Sequence, residues 1–171
     1  MGGSAFSAML SAAAFPRLPP AVYKSVKARY LPKLESLYSL SLVPLEAPEK
    51  LDYGDLDILV TMPKSPHTLS VPHDITKSAL DAEHVIPMDG NRTSHYAVPI
   101  KPGEWTDYGH VMDEVERRKA TDDGKIYYQV SILQSDLPKR TIDVCRLMFM
   151  SASIKTNVIE SRFSTHMGIS A

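Results

Sequence analysis

A chain of 171 residues suits one domain with a real core, and its formal net charge of −1 excludes a protein that coats nucleic acid by bulk charge. The lone Cys145 excludes an intramolecular disulfide and any multi-cysteine zinc site, so a reducing, intracellular setting, cytoplasmic or nuclear, is the expectation. No apolar run is long enough to span a bilayer, and no membrane partner is expected.

Met1 to Ala14 is small, Ala/Ser-rich and free of charge, without the basic start of a secretory signal or the arginines of a transit peptide. It reads as a disordered tail over residues 1–14. Gly2 does not make a myristoylation site, because Phe6 stands where that pattern wants Ser or Thr. Order is expected from Phe15: Pro20 suits a first helical turn, and Val22, Val26 and Tyr30 follow at helical spacing. Pro32 should kink or restart that helix, with Leu34, Leu37 and Tyr38 continuing its apolar stripe.

After a loop over Leu45 to Lys50, Tyr53 to Thr61 reads as the first strand. Pro63 to Pro72 is a loop. Asp74 is the expected N-cap of a helix reaching about His84, with Ile75, Ala79 and Ala82 on one side. His95 to Ile100 reads as a second strand, and Val111 to Lys119 as a helix whose acids come first and bases last, which suits the macrodipole. Lys125 to Leu133 and Thr141 to Met150 are further strands, joined by a turn-rich link of hairpin length. Beyond Met150 no period survives, so the folded domain is expected over 15–150 and a poorly defined tail over 151–171. The whole predicts an α+β architecture: a mixed, mostly antiparallel sheet with helices on one face and acids on the other.

The chemistry concentrates in Tyr53-Gly54-Asp55-Leu56-Asp57-Ile58-Leu59-Val60. Side chains alternate across a strand, so Asp55 and Asp57 share one face while Leu56, Ile58 and Val60 take the other. Two carboxylates held together raise each other's pKa unless positive charge compensates them. A divalent metal is the simplest compensator. A third acid, Asp143, sits between Ile142 and Val144 in the last strand, where a buried strand would otherwise be apolar. Three acids on neighbouring strands suit Mg²⁺ or Mn²⁺, hard ions that share their sphere with substrate phosphates.

Gly54-Asp55-Leu56-Asp57-Ile58-Leu59-Val60, followed by Arg140-Thr141-Ile142-Asp143-Val144, resembles the palm of the DNA polymerase beta-like nucleotidyltransferase superfamily. In that superfamily a strand carries Asp-x-Asp just after a Gly and a later strand carries the third acid. The stretch from Phe15 through Asp143 is similar to fungal members. The resemblance implies nucleotidyl transfer from a nucleoside triphosphate to a hydroxyl acceptor, RNA among the candidates. Asp55, Asp57 and Asp143 would then be the catalytic and metal-binding acids, with Gly54, Lys50, Lys64 and Arg140 around the nucleotide. Asp55 and Asp57 would bridge two ions, and Asp143 would bind the one that activates the acceptor.

Two departures open an alternative, a catalytically inactive binding or regulatory module. Members carry a Gly-Ser pair roughly ten residues before the first acid, whose N–H groups and hydroxyl grip phosphates; here Pro44-Leu45 stands there, without a proline N–H or a hydroxyl. After Gln129-Val130, where the third acid normally follows, Ser131 stands instead: either Ser131 has replaced it or Ser131 to Ile142 is an insertion before Asp143. The chain also carries no evident fingers, thumb or helical domain after the third acid, so a protein partner is expected to supply missing elements.

The plainer readings are structural. Asp143 can pair with Arg140 or Arg146, Lys50 and Lys64 can be solvated loop residues, and Cys145 a small buried residue. His67, His73, His84, His95 and His110 lack the i, i+4 spacing of a helical zinc motif and read as surface or satisfied polar residues. Ser94-His95 has no nucleophile elbow around it. Trp105 with Tyr108 can stack a base, although a packed loop anchor fits better.

Overall fold

Stretches of alternating and helical pattern become a five-stranded sheet with the first helix packed against one side. The computed structural model describes residues 4–46, 49–64, 66, 70–87 and 93–135, all within the unit that spans residues 1–135. The strands are β1 (Tyr38–Leu42), β2 (Leu56–Pro63), β3 (His84–Ile86), β4 (Thr93–Pro99) and β5 (Tyr127–Gln134), in spatial order β1-β2-β5-β4-β3. Only β2 and β5 run parallel; β1 with β2, β5 with β4 and β4 with β3 are antiparallel. The expected α+β class and mostly antiparallel mixed sheet are what the chain adopts.

The first helix, α1 (Pro20–Leu37), starts with Pro20 in its first turn and buries Val22, Tyr23, Val26, Tyr30 and Leu34. Val22 and Tyr23 are adjacent, and steps of three and four residues from them to Val26, Tyr30 and Leu34 put these side chains on one stripe, which packs against β1 and β2. Pro32 lies inside this uninterrupted helix rather than restarting it. The helix ends where Tyr38 turns extended (φ −123°, ψ 149°) and begins β1. Helical spacing would continue the stripe to Tyr38, but its burial comes from the strand instead.

The second helix, α2 (His73–Leu80), begins after Pro72, with Asp74 in its first turn rather than at the N-cap, and stops when Asp81 goes left-handed (φ 57°). Its buried side chains are Thr76 and Leu80, while Ile75 is exposed. The third, α3 (Val111–Lys119), has the expected bounds, with Asp113 and Glu114 first and Arg117, Arg118 and Lys119 last. Glu114 accepts N–H bonds from Gly103 and Trp105 (both 2.9 Å) and pairs with Arg118, whose guanidinium also donates to the carbonyls of Gly124 and Ile100. Trp105 is the packed loop anchor: it is fully buried and its indole N–H donates to Tyr128 Oη at 3.0 Å. Among the described residues no helix is long and apolar enough to cross a membrane.

The N-terminal segment departs from the expected tail. Residues 4–6 and 12–14 form two turns of 3-10 helix, and Phe6 and Phe15 stack with centroids 5.1 Å apart over Ala97 and Tyr127. Small Ala and Ser residues carry no periodicity to announce this; two aromatic rings with an apolar platform to cover decide it. The segment thus straps the face of the sheet opposite α1. Residues 151–171, and the strand expected over Thr141 to Met150 with Asp143, Arg140, Arg146 and Cys145, lie outside the described residues. So does His67.

Candidate functional site

Backbone pairing sets the approach to the two acids. Leu18 and Tyr53 exchange N–H bonds (2.7 and 3.0 Å), and Tyr53 stacks on Tyr23 with centroids 3.9 Å apart. Arg17 pairs with Asp52 at 2.6 Å, which commits that neighbouring carboxylate to structure. Gly54 is buried at the bend that follows, and Asp55 stands just before β2 rather than inside it. Leu56, Ile58 and Val60 then enter the core beneath α1, as alternation requires, and Asp57 is exposed on the other side.

Register aligns the polar face. Asp57 pairs with Ser131 across the parallel ladder, and Ser131 pairs with His95 across the antiparallel one. One row of side chains therefore reads Asp57, Ser131, His95 over three adjacent strands. His95 Nδ1 and Ser131 Oγ share a hydrogen bond of 2.9 Å. One step along β5, the Gln129 amide donates long bonds to Asp55 Oδ2 (3.4 Å) and Ser131 Oγ (3.5 Å). Ser94 points the other way, into a hydrogen bond with His73, so the adjacent Ser94 and His95 serve opposite faces.

The electrostatics follow from this crowding. Burial, and then the Asp57 charge, push the Asp55 carboxyl above its usual value, while Lys50 and His95 pull against them. Burial holds the His95 imidazole below its usual value against the pull of Asp55 and Asp57. Two cavities meet here. One of about 270 Å³ is lined by Tyr23, Pro44, Leu45, Lys50, Asp55 and Asp57 among others. The second, about 250 Å³, lies against Asp57, Leu59, Thr93, Ser131 and Leu133, and shares Pro44 and Asp57 with the first.

Of the residues expected around a nucleotide, Lys50 lines the first cavity, with its ammonium 4.8 Å from the centroid of the Tyr53 ring. Gly54 serves as the bend before the acids. Lys64 is not part of the site: it follows the opposite end of β2, where its Nζ donates to the Glu35 carbonyl at 2.5 Å and its N–H to Leu37 at 2.8 Å. It satisfies carbonyls that the end of α1 leaves open. Asp143 and Arg140 are outside the described residues, and the place beside Asp57 on the neighbouring parallel strand belongs to Ser131.

Asp55 and Asp57 are the residues that could hold a hard divalent cation, since Mg²⁺ and Mn²⁺ are commonly held by one or two carboxylates plus substrate phosphates. Among the described residues no three His, Cys, Asp or Glu side chains form a group that could hold a metal ion. Asp55 and Asp57 would supply only part of an octahedral sphere, the rest being left to water and substrate oxygens.

His95 and Gln129 were not singled out as site residues in the sequence. The signal was phase: Ser94, Tyr96 and Val98 are the buried alternation of β4, which leaves His95 out of phase with them and in phase with the acids. No protein-family model and no curated protein sequence matches the chain.

Proposed function

We propose that this domain binds a nucleoside triphosphate together with Mg²⁺ or Mn²⁺ at Asp55 and Asp57 and transfers the nucleotidyl group to a hydroxyl acceptor. The observation that carries the reading is the pair of same-face carboxylates in the wall of one cleft that also holds Lys50. When bound, the cation would offset the charge of the two carboxylates and of the triphosphate. Asp55 and Asp57 would hold it, and Lys50, in the wall of the same cleft, would meet the phosphates. Gln129 orients the Asp55 carboxylate from the neighbouring strand. A cytoplasmic or nuclear setting, where nucleoside triphosphates are available, fits this use.

A second reading is a binding or regulatory module without turnover. Two observations favour it: Ser131 stands beside Asp57 where the resemblance asks for an acid, and Pro44 and Leu45 form the cleft wall where it asks for a Gly-Ser grip. Calorimetric titration with each of the four common triphosphates, with and without Mg²⁺, followed by a pyrophosphate-release assay, separates the two. Metal-dependent heat that Asp57→Asn removes is expected under both, and Lys50→Ala should weaken binding about tenfold, the worth of one charge-assisted hydrogen bond. Pyrophosphate release supports transfer; heat without release supports the silent module. No heat with any triphosphate rejects both.

A further inference from the structure

We propose that Ser131 is itself an acceptor: the nucleotidyl group of a triphosphate bound over Asp55 and Asp57 passes to Ser131 Oγ, with His95 receiving the hydroxyl proton. The inference rests on the nucleotide reading above and goes beyond it by naming the acceptor within this chain. Its basis is the row Asp57, Ser131, His95 across β2, β5 and β4. A nucleophilic hydroxyl stands beside the carboxylate on the adjacent parallel strand, hydrogen-bonded at 2.9 Å to an imidazole nitrogen that can take its proton. That distance is within the reach general-base catalysis requires.

Access is from the cavity of about 250 Å³, which has both Ser131 and Asp57 in its wall. Asp57 also belongs to the neighbouring cleft with Lys50, so a triphosphate spanning the Asp57 carboxylate has its phosphates in reach of both cavities. The residue as a whole is buried at 5 % exposure, which shields the hydroxyl from bulk water. Gln129, bonded to both Asp55 and Ser131, ties acceptor and donor sites into one polar network. Hydroxyls of buried core serines ordinarily bond to backbone within their own element; this one is turned across the sheet to a histidine that shares the acid face.

The step balances within these groups. Ser131 Oγ attacks the α-phosphorus, forming an O–P bond; the bond from that phosphorus to the bridging oxygen of the β-phosphate breaks, and pyrophosphate departs with the electron pair. The hydroxyl proton moves to His95 Nδ1. The product is a phosphodiester whose single phosphate joins Ser131 Oγ to the nucleoside.

The test uses the full chain with Mg²⁺ or Mn²⁺ and each of the four triphosphates in turn, read by intact mass and by peptide mapping. A mass gain of one nucleotidyl group (a nucleoside monophosphate less one water) mapping to Ser131 is expected. Ser131→Ala should abolish the adduct while keeping calorimetric nucleotide binding, and His95→Asn should keep binding but slow adduct formation by about 100-fold or more. Binding without an adduct, or an adduct on another residue, overturns this proposal and leaves the nucleotide reading standing. Absence of binding overturns both. The mapping is done on the unaltered chain, so the outcome does not depend on any variant folding.

Discussion

The two faces of the central sheet are made from the same strands but obey different rules. On the α1 side, Leu56, Ile58, Val60, Val130 and Ile132 are buried in one cluster with Val22, Val26 and Leu34. On the other side the same strands present Asp57, Gln129, Ser131 and His95, flanked by the apolar patch that Phe6 and Phe15 cover. The first face is fixed by volume and apolar area. The second carries like charges and cross-strand hydrogen bonds that add little to packing, and some of them cost stability. Residues there are explained by what they hold, which is the physical ground for looking for function on that side.

Substitutions on the two faces should therefore separate stability from binding. The largest effect is expected from Ile58→Ala, which empties core volume beneath α1: about 3 kcal/mol lost in denaturant unfolding, within the usual range for such truncations. Asp57→Asn, one residue away on the other face, should change stability by no more than about 0.5 kcal/mol while removing metal-dependent nucleotide binding. Equal stability losses for the two would break the contrast.

Next in size is Phe6→Ala. Because the strap can detach while the sheet stands, about 2 kcal/mol is expected, less than for a central aromatic. Hydrogen exchange checks this: amides of residues 4–15 should lose protection while those of β2 and β5 keep theirs.

A smaller, pH-dependent effect is expected at Asp55. Its folded pKa is raised, chiefly by burial and then by Asp57, so the folded state prefers the protonated form. Such a group contributes its stability below the unfolded pKa and loses it as pH rises through the folded one. Asp55→Asn should accordingly raise the unfolding midpoint at neutral pH, and the gain should vanish by about pH 3, below the ordinary aspartate value. A gain that persists at acid pH would show that charge is not its cause.

The smallest is Lys64→Ala: about 0.5 kcal/mol from the lost bond to the Glu35 carbonyl and no change in nucleotide binding. Its contrast with Lys50→Ala sharpens the assignment of the two lysines to different ends of β2.

Legibility in the sequence tracked the same division. The bounds of α3 and the start of α1 at Pro20 could be read because local signals agree there: charge order along α3, proline placement and a clean stripe on α1. The acid face could be read from alternation at Asp55 and Asp57. Tyr38 misled because one buried tyrosine fits both a helix stripe ending at Leu34 and the first position of β1. The three-residue β3 is too short for any period to show. Lys64 could not be told from Lys50 by type; only the direction of β2 separates them. Ser131 could be flagged from the residues before it, but its bond to His95 needed the pairing of β5 with β4, which no local pattern encodes.

The strap has a consequence for synthesis. Phe6 leaves the ribosome well before the ring it settles against, Tyr127, which belongs to the last described strand. Until β5 has been made and inserted between β2 and β4, the aromatic pair at the beginning of the chain has no platform, so closing the strap belongs among the final events of folding. For that interval the nascent chain carries two uncovered phenylalanines, the kind of greasy surface that chaperones recognise.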